Sequence, residues 1–169
     1  MEFRPTRDLL RQCRTELFRV EVRDTYGVPS EDEPFQRFMN SEPFDYREWF
    51  RDWTELVQGL VSKGVSVRRV RVVTVPVVDY QRWSLAEIAP LNIEAGEELR
   101  YLNRAEAGSV PVDDYWIIDR ETVAFTLSDP DGRAVGGSGV TTDPRILKLS
   151  LTEAQRLWSV ATPYGEFHP

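Results

Sequence analysis

The stretch VSVRRVRVVTVP, Val65 to Pro76, decides the fold. Its density of β-branched residues reads as a buried strand. A helix leads into it: Trp49, Phe50, Trp53, Leu56, Val57, Leu60 and Val61 recur at helical spacing over Tyr46 to Ser62, with charged residues around them. Lys63-Gly64 closes that helix, because glycine suits a helix C-terminus. Helix, short turn and β-branched strand in succession are the mark of an α/β domain. Alternation along the strand places Arg69 and Arg71 on one face and Arg68 on the other.

Working outward towards the N-terminus, the first 60 or so residues read as helical. Leu9, Leu10, Cys13, Leu17 and Phe18 recur at three- and four-residue steps, and Glu31-Asp32-Glu33 opens a second segment around Phe35 and Phe38. Towards the C-terminus, a helix spans about Val78 to Ile88 and carries Tyr80, Arg82 and Trp83, and Pro90 ends or kinks it. Strands follow at Glu98 to Leu102, Tyr115 to Asp119, Thr122 to Leu127 and about Arg133 to Val140. Turn residues between the last three predict an antiparallel meander. A helix from Asp143-Pro144 to about Ala161 closes the chain. The expected fold is therefore α/β with an α+β tendency: a helical region over 1–62, packed on a mixed sheet of about five strands within 63–169, in one compact unit.

Composition narrows the function classes. The 169 residues need no disulfide or metal to fold, and the single cysteine, Cys13, can form no internal disulfide, so a reducing cytoplasm is the expected home. No window approaches a membrane span, and the charged N-terminus lacks the apolar core of a signal peptide. A net charge of −7, from 21 basic and 28 acidic side chains, repels polyphosphate and disfavours direct nucleic-acid binding.

The candidate chemistry is sparse. Asp113, Asp114 and Asp119 could in principle hold a hard cation, but the last two flank a strand about 17 Å long at about 3.3 Å per residue, so no metal is expected. Asp119 reads instead as the start of a hairpin turn. Gly136-Gly137-Ser138-Gly139 lacks the lysine of a phosphate loop and reads as a bulge or a close backbone approach. His168 is the only histidine and stands next to the last residue, where it supports no triad or zinc site. No catalytic residue or cofactor is expected. The arginines are the sharper feature. Arg69 and Arg71, with Tyr80, Arg82, Trp83 and Arg100, are expected to converge at strand ends and suit a planar anionic ligand, with Asp114, Trp116 and Asp119 close by. The competing reading pairs these arginines with Glu87, Glu97, Glu98, Asp114 or Asp119.

The pieces RRVRVVTVPVVDYQRW, NIEAGEELRYL, DDYWIID, a glycine-rich strand, Thr142-Asp143-Pro144 and the tail LWSVATPYGEFHP together resemble an uncharacterised actinobacterial family, a domain of unknown function. Its members are often encoded beside helix-turn-helix regulators, which implies a regulatory setting and a protein partner. More distantly, Lys63 to Pro163 is similar to one half of the phospholipase D superfamily. That resemblance implies a degenerate site: with Asp119 on the catalytic aspartate, Val112 falls where the nucleophilic histidine belongs and Asp114 where the phosphate-binding lysine belongs. The expected function is a non-catalytic regulatory or sensing module that binds a protein partner or a small anionic ligand. The alternative is a divergent metal-dependent phosphodiester or nucleotide hydrolase using Asp113, Asp114 and Asp119.

Overall fold

The computed structural model describes residues 1–169 and contains one open, mixed, eight-stranded sheet with helices on both faces. Strand β1 (Glu2–Pro5) leads into helix α1 (Thr6–Arg11), which is followed by β2 (Glu16–Glu21). Helices α2 (Asp32–Met39) and α3 (Tyr46–Ser62) precede β3 (Ser66–Val73). Helix α4 (Asp79–Trp83), a π-helical turn (Ser84–Ile88) and α5 (Ala89–Ala95) run on to β4 (Glu98–Asn103). Then come β5 (Tyr115–Ile118), β6 (Thr122–Ser128), β7 (Ala134–Thr141), helix α6 (Pro144–Val160) and the short β8 (Thr162–Pro163). The sheet order is β1-β7-β6-β5-β2-β3-β4-β8. Strands β2, β3 and β4 are parallel, while β5, β6 and β7 form the antiparallel meander.

This architecture corrects the expectation of about five strands beneath a helical N-terminal region. Strand β2 stands in the middle of the sheet, between β3 and β5, and β1 forms one edge against β7. The physical reason lies in Phe18-Arg19-Val20-Glu21-Val22-Arg23, where apolar and charged residues alternate strictly. Leu9, Leu10 and Cys13 do pack together, but Leu17 reaches the same cluster from a strand, which imitates helical spacing at its start. Of the two readings of Pro90, an end or a kink, the structure has a distortion: the helical run passes through a π-helical turn and continues past Pro90. The π-helical turn precedes it, and Pro90 occupies the first turn of α5, where no intrahelical N–H is required.

Local chemistry fixes the remaining boundaries. The Asp45 carboxylate accepts the Glu48 N–H at 3.0 Å and starts α3. Gly64, at φ +85°, ends it, and Asp143 with Pro144 starts α6. Asp119 and Arg120 both have positive φ in the β5–β6 turn, so Asp119 does open the hairpin. Its carboxylate also accepts the backbone N–H groups of Arg14 and Thr15 at 2.9 and 2.7 Å, tying the approach to β2 to this turn. In β7 the glycines serve a close approach: a Cβ at Gly137 would lie 2.2 Å from the Phe3 ring across the β1–β7 pair.

The two faces of the sheet differ in chemistry. On one, Phe18, Val20, Val70, Val72 and Ile117 pack against Ala154 and Leu157 of α6 in an apolar layer, with Arg68 and Arg100 lying over the Phe18 and Trp158 rings. On the other, Leu17, Val67 and Ile118 pack under Val57 and Leu60 of α3. Towards the C-terminal ends of β2 and β3 that second face turns polar, and the covering helices leave a cleft there. No helix is long and apolar enough to cross a membrane.

Candidate functional site

The cleft encloses about 530 Å³, within the range of small-molecule sites. Its floor is two rows of side chains set by strand register. In the first, Trp116 of β5, Arg19 of β2 and Arg69 of β3 stand side by side, and in the second Glu21 neighbours Arg71, with Tyr101 of β4 beyond. Because successive strand residues alternate faces, the spacing Arg19–Glu21 and Arg69–Arg71 is what aims all four into the cleft. The site lies on one face of the sheet towards the carboxyl ends of the parallel strands β2 and β3, close to the usual ligand position in open α/β sheets.

Every guanidinium on the floor has an acidic partner. Glu21 takes Arg69 Nη1 and Arg71 Nε at 2.6 Å each, on different oxygens, and Arg19 Nε at 3.4 Å. Glu97, at the start of β4, accepts Arg69 Nε at 2.8 Å, Trp53 Nε1 at 2.7 Å and Asn92 Nδ2 at 2.9 Å. Asp114 accepts the Val22 N–H at 2.8 Å and Arg19 Nη2 at 3.4 Å. Arg71 completes its set by donating to the Tyr101 hydroxyl at 2.9 Å. Three arginines thus meet three carboxylates in a buried layer, and the stacking reinforces it. The guanidinium carbons of Arg19 and Arg69 lie 5.1 and 5.2 Å from the Trp116 ring centre.

Burial and charge act in opposite directions on these acids. Burial alone would raise Glu21, but Arg69, Arg71 and Arg19 outweigh it and hold the carboxylate ionised far below its usual range. For Asp114 burial prevails, helped by the Glu21 charge, and its pKa is raised. Glu31 stands at the rim with the Tyr80 hydroxyl donating to it at 2.7 Å. Burial raises its pKa to about 7, the Tyr80 hydrogen bond working against the shift and Glu21 adding to it.

The Glu31 shift carries a pH prediction. Between about 4.5 and 7 the folded protein holds this proton and the unfolded chain does not, so stability should fall as pH rises through that window. Glu31→Gln keeps the acceptor for Tyr80 and removes the titration. In urea unfolding it should flatten the slope and exceed the native protein by about 1–2 kcal/mol at pH 8. Parallel pH profiles for the two proteins would refute this.

The walls are aromatic and amide-rich. Trp49, Phe50 and Trp53 come from α3, Tyr80 and Gln81 from α4, and Ser84 and Ile88 from the π-helical turn, a distortion that recurs at functional sites. Gln81 Nε2 donates to the Asp24 carbonyl at 3.1 Å and fastens α4 to the segment after β2.

Of the residues singled out from the sequence, Arg69, Arg71, Tyr80, Asp114 and Trp116 line the cleft. The others stand elsewhere. Arg82 is exposed and pairs with Asp79, while Arg100 lies over Trp158 at 4.4 Å on the α6 side. Trp83 is fully buried behind the wall, and Asp119 is at the far end of β5 from Asp114. Asp113 and Val112 are exposed, so the three aspartates do not converge, and no three acidic, histidine or cysteine side chains form a ligand set. Arg69, Arg71 and Asp114 therefore share one cleft and are also spent on ion pairs.

Arg19, Glu21, Arg7, Arg23 and Thr126 belong to the site and were not legible as such. Three of the five lie in or beside β2, so their common face appears only once that segment is a strand. The signal was the alternation Arg19, Glu21, Arg23 between Phe18, Val20 and Val22.

A search of curated proteins finds no match to this chain. Residues 5–169, nearly its whole length and all of the cleft, match the family described as a domain of unknown function (DUF6879), and the chain belongs to that family.

Proposed function

We propose that this protein is a non-catalytic regulatory or sensing module that holds a small molecule in the cleft. The observation that carries the reading is the cleft's construction: a preorganised floor of paired arginines and acids under aromatic walls, open to solvent at one side. Such a floor is costly to bury and rigid once its pairs form, and it presents flat surfaces suited to a planar ligand. The floor acids are poorly placed for catalysis. Glu21 is locked as an ion by three guanidiniums, and Asp114 is fastened to the Val22 N–H. General acid–base work needs a group poised near the working pH and within reach of substrate, and Glu31, raised to about 7, stands at the rim with the Tyr80 hydroxyl donating to it. A helix-turn-helix protein is the proposed reader of ligand occupancy.

The test uses a variant that plugs the mouth. Ala134, at the start of β7, lines the cleft and is partly exposed, so Ala134→Trp should fold normally while filling the opening. A library of planar small molecules screened by thermal shift should yield compounds that raise the Tm of the native protein by several degrees and leave the plugged variant unmoved. Equal shifts in both proteins, or none from any compound, would refute a ligand site here.

A further inference from the structure

Among the arginines lining the cleft, two differ from the rest. Arg7, on α1, makes no ion pair or hydrogen bond within the protein and is exposed. The side chain of Arg23, just after β2, makes no ion pair and donates only Nη1, to Ser128 Oγ at 3.2 Å. Both line the cleft near β6. Arg23 is held there by Ser128, and Arg7 follows Thr6, whose hydroxyl is 2.8 Å from that of Ser138, the residue paired with Thr126 across β6 and β7.

Resting on the proposed ligand site, we infer that the cleft takes an aromatic compound bearing one terminal anionic group, a phosphate or a carboxylate, with the ring inside and the anion at the mouth between Arg7 and Arg23. The orientation follows from where charge is already balanced. On the floor, Arg19, Arg69 and Arg71 are answered by Glu21, Glu97 and Asp114, so an incoming anion there would displace a carboxylate from a buried pair. At the mouth, both guanidiniums keep free N–H groups and full charge, and arginine's planar fork suits either oxyanion. The two other acids lining the cleft belong to different elements. Asp52 is exposed on α3, and Glu31 is engaged by Tyr80. The interior answers a ring rather than a charge, with Trp49 and Phe50 on α3 and the Trp116 layer below.

The experiment compares matched probes by tryptophan-fluorescence titration: nucleoside 5′-monophosphates against the nucleosides, and indole carboxylates against their methyl esters. The anionic member of at least one set should bind about tenfold to a hundredfold more tightly than its neutral partner. The set that responds identifies the oxyanion as phosphate or carboxylate. In the double variant Arg7→Ala/Arg23→Ala that preference should vanish while the neutral member binds as before. Neither side chain is buried in a pair, so the melting temperature should stay within about 1 °C. An anion preference that survives the double variant overturns the inference, as do equal affinities within each pair or the binding of no probe. Neutral probes that bind the native protein and not Ala134→Trp would, in those cases, still uphold the ligand site itself.

Discussion

Replacing Glu21 with alanine is expected to lower stability by about 3–5 kcal/mol, the usual cost of removing one partner from a buried ionic cluster. For a chain of this size that corresponds to a fall in Tm of about 10 °C. The cause is geometric. Glu21 is the only carboxylate shared by Arg19, Arg69 and Arg71, and without it Arg71 keeps only the Tyr101 hydroxyl. Three guanidiniums, each less than a tenth exposed, would then face two carboxylates. Because the folded protein holds Glu21 ionised far below its ordinary range, its contribution is complete above the unfolded-state pKa near 4.5 and is lost as pH falls below it. The gap between native protein and variant should therefore be widest at neutral pH and narrow in acid. Combining Glu21→Gln with Arg71→Met, which removes an unmatched charge and keeps apolar bulk, should recover part of the loss relative to Glu21→Gln alone. A Glu21→Ala protein that melts with the native one would show that the cluster is not buried as described.

That cluster also shows how far the sequence could be read. The helix Tyr46–Ser62 and the strand after it are legible because their apolar patterns persist and are closed by glycine or proline, and the meander because turn residues separate its strands. Strand β2 is six residues long, and its beginning, Leu17-Phe18, is compatible with both periods when read together with Leu9, Leu10 and Cys13. Strand β1 has only four residues and holds its place through Phe3 and Met1 lying over Gly137 and Gly139, contacts between residues more than 130 positions apart. Local pattern cannot carry that information. The same holds for the cleft. Arg69 and Arg71 could be placed on one face from their spacing, but the acid they share, Glu21, comes from a neighbouring strand 48 and 50 residues away. Glu97 and Asp114 were nameable as partners, yet which arginine each would meet depends on the strand order β5-β2-β3-β4. Arg82 and Arg100 went the other way. One lies on the outer side of a short helix and the other on the opposite face of the sheet, which side-chain type alone does not reveal.

Truncating Trp83 to alanine should cost about 3–5 kcal/mol, the range for deleting a large buried aromatic side chain. Trp83 has no exposed surface and anchors an aromatic cluster, with ring centres 5.4 Å from Tyr80, 5.6 Å from Phe35 and 6.1 Å from Trp49. Two of those neighbours, Tyr80 and Trp49, line the cleft, so the cavity left by alanine would undermine the wall from behind. Phenylalanine separates packing from polarity. The indole Nε1–H lies near the Tyr46 hydroxyl without a well-formed hydrogen bond, and an unsatisfied buried donor costs about 1–3 kcal/mol. Trp83→Phe gives up apolar area and also removes that orphan donor, so its Tm should lie within about 4 °C of the native value. Ligands found in the thermal-shift screen should bind Trp83→Phe as they bind the native protein, because Trp83 supports the wall and does not form it. If Trp83→Ala instead kept the native Tm and lost only ligand binding, Trp83 would belong to the site's inner surface, and the wall would need no support from the cluster behind it.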